Sequence, residues 1–249
     1  SKTDNIRYYS LGGYDNLQVY AVAGGNYGEI WGTSFRRVED ASSPYYGKMI
    51  LENGLPTATT EKTKLGDQQA NALVGLGSTL SYKGWSLNFL FDGRFGGHIF
   101  SGTLQSMQRA GTSAMTVVGD ERPKMVVDGV TLKDGKYVPN TQEVTAQQYW
   151  KATAGNGNIG VGELNIYDAT NIRLRTLSLS YTMGRKMLQK TPFQSIKLSA
   201  SCSNVWMLKS HMHGIDPESV FATSTNATGF EYGSAPTSRT CTFNVSLSF

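Results

Sequence analysis

Residues 240–249 read Thr-Cys-Thr-Phe-Asn-Val-Ser-Leu-Ser-Phe, and polar and apolar side chains alternate along them without interruption. Such alternation predicts a β-strand with two different faces. The polar face carries small neutral groups, where a soluble surface strand usually carries Lys or Glu. Ten residues that rise about 3.3 Å each and tilt by roughly 40° span about 25 Å, the height of the apolar band of a membrane barrel. The stretch therefore predicts a membrane β-barrel strand with an aromatic end.

The composition agrees with a sheet protein. The 249 residues include 28 Gly, 13 Tyr and 10 Phe, and only 17% of them are charged. No run of about 18 apolar residues predicts a transmembrane helix, so a membrane-embedded form would be a closed sheet. The net charge of +4 is small and scattered, which excludes a nucleic-acid partner. The first residues carry no signal peptide, so we expect an exported mature chain or a fragment.

About seven strands are predicted along the chain. Two of them flank Lys83-Gly84, with Tyr82 and Trp85 opposed across a two-residue turn. A bulge or strand end is expected near Arg175, because Arg173 and Arg175 fall on the apolar register. The predicted strands are 17–23, 30–38, 74–82, 85–91, 172–182, 196–203 and 240–249.

The predicted connections alternate in length. Short turns alternate with long loops at 39–71, 97–165 and 208–238, which is typical of outer-membrane barrels with long extracellular loops. Four aromatic residues lie at the short-turn ends, where an aromatic girdle belongs: Tyr82, Trp85, Tyr181 and Phe249. Seven strands are too few to close a membrane barrel, so the chain is predicted to be one portion of a larger barrel.

The two cysteines, Cys202 and Cys241, fall on the apolar sides of their strands. They would face each other if the last two strands paired with residue numbers that sum to about 443. A bridge is therefore compatible with the sequence. Because an unpaired Cys behaves as a small hydrophobe, however, we expect two buried or lipid-facing thiols.

Motifs that could carry chemistry are weak. Residues 155–160 satisfy G-x-G-x-x-G without a preceding strand or a following helix, so they predict a loop and no nucleotide cofactor. His211, His213, Asp216 and Glu218 lie close together but match no zinc spacing. Neither a catalytic triad nor a pair of carboxylates on opposite sides of a bond is present. We therefore expect no enzyme activity, catalytic residue, metal site or cofactor.

Several segments together resemble a known family. These segments are 167–181, 204–206, 214–218 and 239–249, with further likeness at 77–97 and 111–140. In order and spacing they resemble the carboxy-terminal region of the SusC/RagA family of TonB-linked (TonB-dependent) outer-membrane transporters. The resemblance implies that residues 1–249 are the carboxy-terminal segment of such a barrel, without the plug domain and the first strands.

The resemblance also implies a fold, a location and partners. The family fold is a 22-stranded barrel in the outer membrane of a Gram-negative-type bacterium, occluded by a plug. A SusD-like surface lipoprotein delivers oligosaccharides or peptides, and the TonB complex drives uptake through the amino-terminal part that this chain lacks. The remaining strands and the plug would belong to a second chain or to a part that was removed. The family has no catalytic residues.

Residues that could contact cargo or the lipoprotein lid are predicted in the loops: Tyr45, Tyr46, Trp206, His211, His213, Asp216, Glu218, Phe230 and Tyr232. Phe249 is predicted to be a terminal assembly signal. Two alternatives stay open at this level, since alternation alone does not distinguish a lipid-facing side from a core-facing side. They are a secreted soluble β-sandwich that binds carbohydrate and an outer-membrane barrel enzyme.

Overall fold

The computed structural model describes residues 7–155, 157–212, 214–221 and 225–249. No helix in these ranges is long and apolar enough to cross a membrane. The strands and helices are β1 (Tyr8–Tyr14), β2 (Leu17–Val22), β3 (Tyr27–Gly32), β4 (Leu51–Glu52), β5 (Leu55–Pro56), β6 (Thr63–Asp67), β7 (Ala72–Tyr82), β8 (Trp85–Phe95), β9 (His98–Ser101), α1 (Gly102–Ala110), β10 (Met125–Val126), β11 (Val130–Lys133), β12 (Lys136–Pro139), β13 (Glu143–Val144), α2 (Ala146–Thr153), β14 (Ile166–Asp168), β15 (Asn171–Met183), β16 (Ser195–Ser210), β17 (Phe230–Glu231) and β18 (Thr240–Ser248).

The described residues form two compact units. Unit 1 comprises the chain up to Gln69 together with His98–Tyr167 and Ser219–Ser234. It contains a four-stranded sheet in the order β1-β2-β3-β6, several short hairpins and both α-helices. Its largest core cluster packs Leu17, Val19 and Ile30 of the sheet against Phe100 and Phe230. Unit 1 is thus built mainly from the three excursions that the sequence predicts as long loops.

Unit 2 comprises Ala70–Gly97, Asp168–Glu218 and Ala235–Phe249 and is built around one sheet. Five antiparallel strands lie in the order β18-β16-β15-β8-β7. The two short connections, 83–84 and 184–194, lie at one end of the strands of this sheet, and the long excursions leave from the opposite end. The predicted all-β antiparallel fold with alternating short and long connections is therefore confirmed.

The number of strands in that sheet differs from the prediction. Five of the seven predicted strands belong to it, whereas the segments predicted at 17–23 and 30–38 contribute to the four-stranded sheet of unit 1. Their alternation arises because one side of that sheet packs on a protein core that includes Leu17, Val19 and Ile30. Alternation with a period of two residues shows that one side of a strand is covered, but it does not show whether protein or lipid covers that side.

The register of the five-stranded sheet separates two kinds of side chain. Apolar residues follow one another across the strands in two long rows, Tyr82-Trp85-Tyr181-Leu198-Val245 and Leu80-Leu87-Leu179-Ala200-Phe243. The intervening rows are small and polar, Ser81-Ser86-Ser180-Ser199-Asn244 and Thr79-Asn88-Ser178-Ser201-Thr242. A shift of one residue in any pair would move a whole strand's apolar set to the other face.

The apolar face of the sheet is exposed. Phe243 is 83% exposed, Leu80 58% and Leu179 45%. The three clusters of buried apolar residues identified in the described chain all belong to unit 1. Phe89, Leu179 and Phe243 therefore do not meet in a dry interior within this sheet. A continuous apolar face of this size on a protein marks contact with another apolar phase or surface.

A disulfide bond joins Cys202 of β16 to Cys241 of β18. The two residues lie directly opposite each other in a register whose residue numbers sum to 443, as the sequence analysis considered. The expectation of two free thiols is therefore wrong. Their Cα atoms are 4.2 Å apart, because a non-hydrogen-bonded antiparallel pair brings the backbones closest and so sets two Sγ atoms within bonding reach.

The bridge gives a direct chemical prediction. We expect the protein denatured without reductant to resist alkylation by iodoacetamide, and to take up two alkyl groups after reduction. Cys202→Ser leaves Cys241 alone and should allow one alkylation without reduction. Mass spectrometry of the peptides reads both outcomes, and full alkylation of the unreduced wild-type protein would contradict the bridge.

Candidate functional site

A β-bulge in β15 brings two arginines onto the polar face of the five-stranded sheet. The register of β15 shifts between Leu174 and Thr176 against both of its neighbours, β8 and β16. The extra residue restores Leu174 to the apolar side, opposite Phe91, and places Arg173 opposite Asp92. The predicted bulge near Arg175 is thus confirmed, and it explains why the arginines interrupt the sequence alternation.

Arg173 forms a buried ion pair with Asp216. Their side chains are 5% and 8% exposed, and the guanidinium Nη2 donates to Asp216 Oδ1. Asp216 Oδ2 also accepts from the backbone N–H of Thr237 at 2.9 Å and from its hydroxyl at 2.6 Å. Burial alone would raise the pKa of Asp216, but the hydrogen bonds from Arg173 and Thr237 lower it well below its usual range.

Glu218 and Asp92 share the second arginine. The Nη2 atom of Arg175 lies 2.6 Å from Glu218 Oε1 and 2.5 Å from Asp92 Oδ2. Its Nη1 atom donates to the side-chain oxygen of Asn204 at 3.1 Å. Asn204 adopts a left-handed backbone conformation, with φ 49°, and donates to the carbonyl of Ser238 at 2.9 Å. We call these side chains the arginine network: Arg173, Arg175, Asp92, Asn204, Asp216, Glu218 and Thr237.

The arginine network fixes both ends of a long excursion to the sheet. Asp216 and Glu218 lie just after β16, and Thr237 lies just before β18. Each carboxylate forms an ion pair with a guanidinium group from β15, so the oxygens of both are already engaged in holding the chain. The arrangement is therefore suited to positioning a loop rather than to hydrolysis. Asp216 and Glu218 stand out in the sequence as neighbouring carboxylates, but their arginine partners do not, because each lies 43 residues away.

Of the two predicted loop histidines, His211 lies beside a carboxylate. Nδ1 of His211 lies 3.0 Å from Asp168 Oδ2 at a half-exposed site, and Asp168 is not a member of the arginine network. Burial raises the pKa of Asp168, but hydrogen bonds from Thr170 and His211 lower it overall. His213 lies outside the described residues. Within the described part of the chain, no group of three or more His, Cys, Asp or Glu side chains is arranged to hold a metal ion.

The predicted aromatic contacts differ in exposure. Trp206 is 62% exposed and lies opposite Leu174, on the apolar face of the sheet. Tyr46 is 63% exposed, whereas Tyr45 packs against the cluster of Val38, Ile50 and Val130. Phe230 is only 1% exposed and belongs to the main core of unit 1. The Phe230 ring therefore offers no surface for stacking, because the core covers it on all sides.

Tyr232 belongs to an aromatic cluster on unit 1. Its ring centre lies 5.0 Å from that of Tyr14 and 5.9 Å from that of Phe221. Phe221 and Tyr232 are 48% and 37% exposed. Burial, with the hydrogen bond to Tyr232, raises the pKa of Tyr14 to about 12. Tyr14 and Phe221 carried no signal in the sequence analysis, since the cluster joins segments more than 200 residues apart.

Aromatic residues also lie at the short-turn edge of the sheet, as predicted. The rings of Trp85 and Tyr181 are 4.7 Å apart, and those of Phe193 and Phe249 are 5.1 Å apart. Phe249 is 77% exposed. Amphipathic aromatic rings at such an edge are typical of the boundary between lipid and water. The role of Phe249 as an assembly signal stays a prediction.

A cavity of ≈ 410 Å³ lies beside the arginine network in unit 2. Arg173 and Asp216 line one part of it, and Trp206, Met212 and Arg239 line another. Arg173 and Asp216 are paired within the network, and Arg239 adds a further guanidinium to the lining, whose Nε donates to the carbonyl of Asn204 at 3.4 Å.

No protein-family model matches the chain. TonB-dependent receptor P3 of Formosa agariphila is 25% identical over 247 residues, which cover 96% of this chain and 22% of the receptor. Structures of the RagAB peptide importer in its open-open and closed-closed states both align with a TM-score of 0.56, at 13% and 14% identity.

The chain is similar to part of a SusC/RagA-type TonB-dependent transporter. The matched regions cover 100% and 98% of this chain but only 25% of each RagAB chain. The chain thus spans about a quarter of the length of the proteins it matches. The predicted resemblance is confirmed, and the five-stranded sheet corresponds to an open portion of a barrel-like sheet.

The arginine network gives a second testable prediction. The folded pKa of Asp216 is depressed, so its contribution to stability is complete above the unfolded value of about 3.9 and is lost only as the pH falls below it. We expect proteinase K to nick residues 219–234 equally slowly at pH 5 and pH 8. Asp216→Asn leaves Arg173 buried without its counter-charge and should accelerate nicking at both pH values by roughly tenfold or more.

The matched control for that variant is Asp128→Asn. Asp128 pairs with Lys48 at 2.7 Å, but its side chain is 81% exposed, so its loss should change little. Equal nicking of the Asp216 variant and the wild type would show that the network does not hold the excursion.

Proposed function

We propose that the chain forms part of an outer-membrane importer of the TonB-dependent type. In this role the five-stranded sheet is a section of barrel wall, and the excursions that build unit 1 face the outside of the cell. Transport is non-covalent binding followed by gated passage, without a chemical step. The cargo is an oligosaccharide or a peptide.

The observation that carries this proposal is the division between the two faces of the sheet. One face presents uncovered apolar rows, and the other presents Ser, Thr and Asn. A barrel wall requires this arrangement, because its outer side contacts hydrocarbon and its inner side contacts water. Large barrels of this class enclose a lumen, and small polar side chains keep such a lumen hydrated.

The proposal also assigns partners. β7 and β18 are the outer strands of this sheet, and each pairs with one neighbouring strand in it. Further strands, from the same protein or a second chain, therefore pair with their outer edges and complete the wall. A SusD-like lipoprotein covers the external excursions, and the TonB complex acts through a plug and amino-terminal part outside this chain. A partner of this kind is favoured by the likeness to a receptor and to the two-part RagAB importer.

The two alternatives receive less support. A soluble β-sandwich buries its apolar faces between two sheets, but Phe243 and Leu80 are 83% and 58% exposed. A rim enzyme requires carboxylates free to exchange protons, but Asp216 and Glu218 are ion-paired with Arg173 and Arg175. We therefore propose a transport function without catalysis.

Charge placed on either face of one strand distinguishes the models. Phe243→Arg puts a cation on the apolar face, which costs about 2–4 kcal/mol at the bilayer midplane. Asn244→Arg is the matched control, since Asn244 belongs to the polar rows. We expect Phe243→Arg to reduce the amount of folded protein in the outer-membrane fraction and Asn244→Arg to leave it nearly unchanged. Equal behaviour of the two variants would contradict a lipid-facing apolar face.

The partners can be tested by isolation. We expect an affinity tag on this chain, extracted from outer membranes in mild detergent, to recover the rest of the barrel and a lipoprotein. Intact-mass spectrometry identifies both companions. Recovery of a monodisperse, detergent-free chain by itself would contradict the proposed assembly.

A further inference from the structure

Two hairpins of unit 1, β4–β5 and β11–β12, border a cleft of ≈ 460 Å³. Each hairpin has a two-residue turn, Asn53-Gly54 in the first and Asp134-Gly135 in the second. All four turn residues have positive φ, which is the conformation of type I′ turns. The cleft lies entirely within one compact unit, and neither the arginine network nor the barrel wall contributes to it.

The hairpins touch at their base and then separate. A parallel bridge pairs Ile50 with Val130, and the N–H of Val130 donates to the carbonyl of Met49 at 2.8 Å. In the described residues, the parallel pairing does not continue beyond this bridge toward Asn53 and Lys133. Two strand edges that begin as neighbours thus diverge, and the cleft occupies the space between them.

Hairpin geometry identifies the backbone groups that face this space. In a two-residue hairpin the residues next to the turn exchange both hydrogen bonds, and the next pair exchanges none. Leu132 opposite Tyr137 and Leu51 opposite Pro56 are therefore non-hydrogen-bonded pairs, which agrees with the missing N–H of Pro56. The N–H and C=O groups of Leu132 and the C=O of Leu51 consequently point away from their own hairpins, and both residues line the cleft.

Most side chains around the cleft are polar, apart from Ile50, Leu51 and Leu132, and the charged ones carry a positive balance. Arg36 and Lys133 contribute two positive charges and Glu52 one negative charge. The Arg36–Glu52 pair is 3.3 Å long with side chains 52% and 64% exposed, so each remains accessible to a ligand. Hydroxyl, amide and phenol groups complete the lining: Asn53, Thr131, Tyr137, Asn140, Thr141 and Gln142.

We propose that this cleft binds a short extended peptide by strand addition between β4 and β11. Backbone groups of Leu51 and Leu132 would pair with the peptide from opposite sides, and Lys133 and Arg36 would favour an acidic side chain or a terminal carboxylate. Unpaired backbone edges select a peptide over an oligosaccharide, because a sugar lacks the regular alternation of N–H and C=O that a strand edge requires. The inference rests on the proposed import function for its source of ligand, and it specifies peptide as the cargo class at this cleft.

The decisive variant is Leu132→Pro. Proline removes the one N–H that faces the cleft, and the ladder with β12 keeps its bonds because Leu132 exchanges none with Tyr137. Leu132→Ala is the matched control, since it removes the side chain and keeps the N–H. The protein is isolated in detergent from outer membranes, and the probe is a fluorescein-labelled hexapeptide of alternating Val and Asp, followed by fluorescence anisotropy.

We expect Leu132→Pro to weaken peptide binding about tenfold, which corresponds to roughly 1.4 kcal/mol for lost backbone pairing. Leu132→Ala should keep most of the affinity. We also test the same peptide with alternate amides N-methylated. Its affinity for the wild-type protein should be no higher than the affinity of the unmethylated peptide for Leu132→Pro. Lys133→Glu should shift the preference from the Asp peptide to one that carries Lys.

Three results would overturn the inference: absence of hexapeptide binding, indifference to N-methylation, or displacement of the peptide by maltohexaose with equal loss in both Leu132 variants. These failures are separable from failure of the proposed function. Leu132→Pro should reach the outer-membrane fraction like the wild type, whereas a wrong assignment of the barrel wall is revealed when Phe243→Arg and Asn244→Arg reach that fraction in equal amounts.

Discussion

Backbone pairing at one fixed register is the constraint on which the five-stranded sheet depends. The strands have no packed core of their own to align them, so the ladder must keep apolar and polar side chains apart along every strand. The tight turn at Lys83-Gly84 sets the register of β7 and β8, and the bridge between Cys202 and Cys241 sets that of β16 and β18. Both devices act where uniform Ser and Thr rows would otherwise tolerate slippage.

The bulge in β15 shows how the same ladder admits charge without disturbing the apolar rows. One additional residue at Arg175 turns Arg173 and Arg175 toward the polar face. There Asp92 of β8 and the carboxylates of the excursion after β16 neutralise them. Arginines left on the apolar side would have to be buried in lipid, which is costly unless the charge is paired. The bulge thus converts a local irregularity into the attachment point for both ends of a long excursion.

The local features of the fold were predictable from the sequence. Alternation and turn residues predicted the β7–β8 hairpin, the bulge near Arg175 and the terminal strand. These features depend on neighbours in the chain, which periodicity and turn chemistry report directly.

Features that depend on distant contacts were not predictable in the same way. Alternation at Leu17–Val22 looks like barrel wall, but those residues pack on Phe100 and Phe230, which are far away in sequence. Arg173 and Asp216 are separated by 43 positions, and only the folded chain reveals that they pair. Phe230 is an aromatic loop residue like Tyr46 in the sequence, but it is 1% exposed whereas Tyr46 is 63% exposed. Burial of this kind is a property of the assembled excursions.

The position of the disulfide has a chemical consequence for a protein that resides in a membrane. Cys202 and Cys241 lie on the apolar side of the sheet, and a reductant attacks a disulfide as a charged thiolate. In the proposed orientation that thiolate would have to enter hydrocarbon to reach either sulfur atom. If the two cysteines are oxidised before insertion, the bond would then be protected from water-soluble thiols, because a charged thiolate is poorly solvated in hydrocarbon. It would persist for the lifetime of the folded protein.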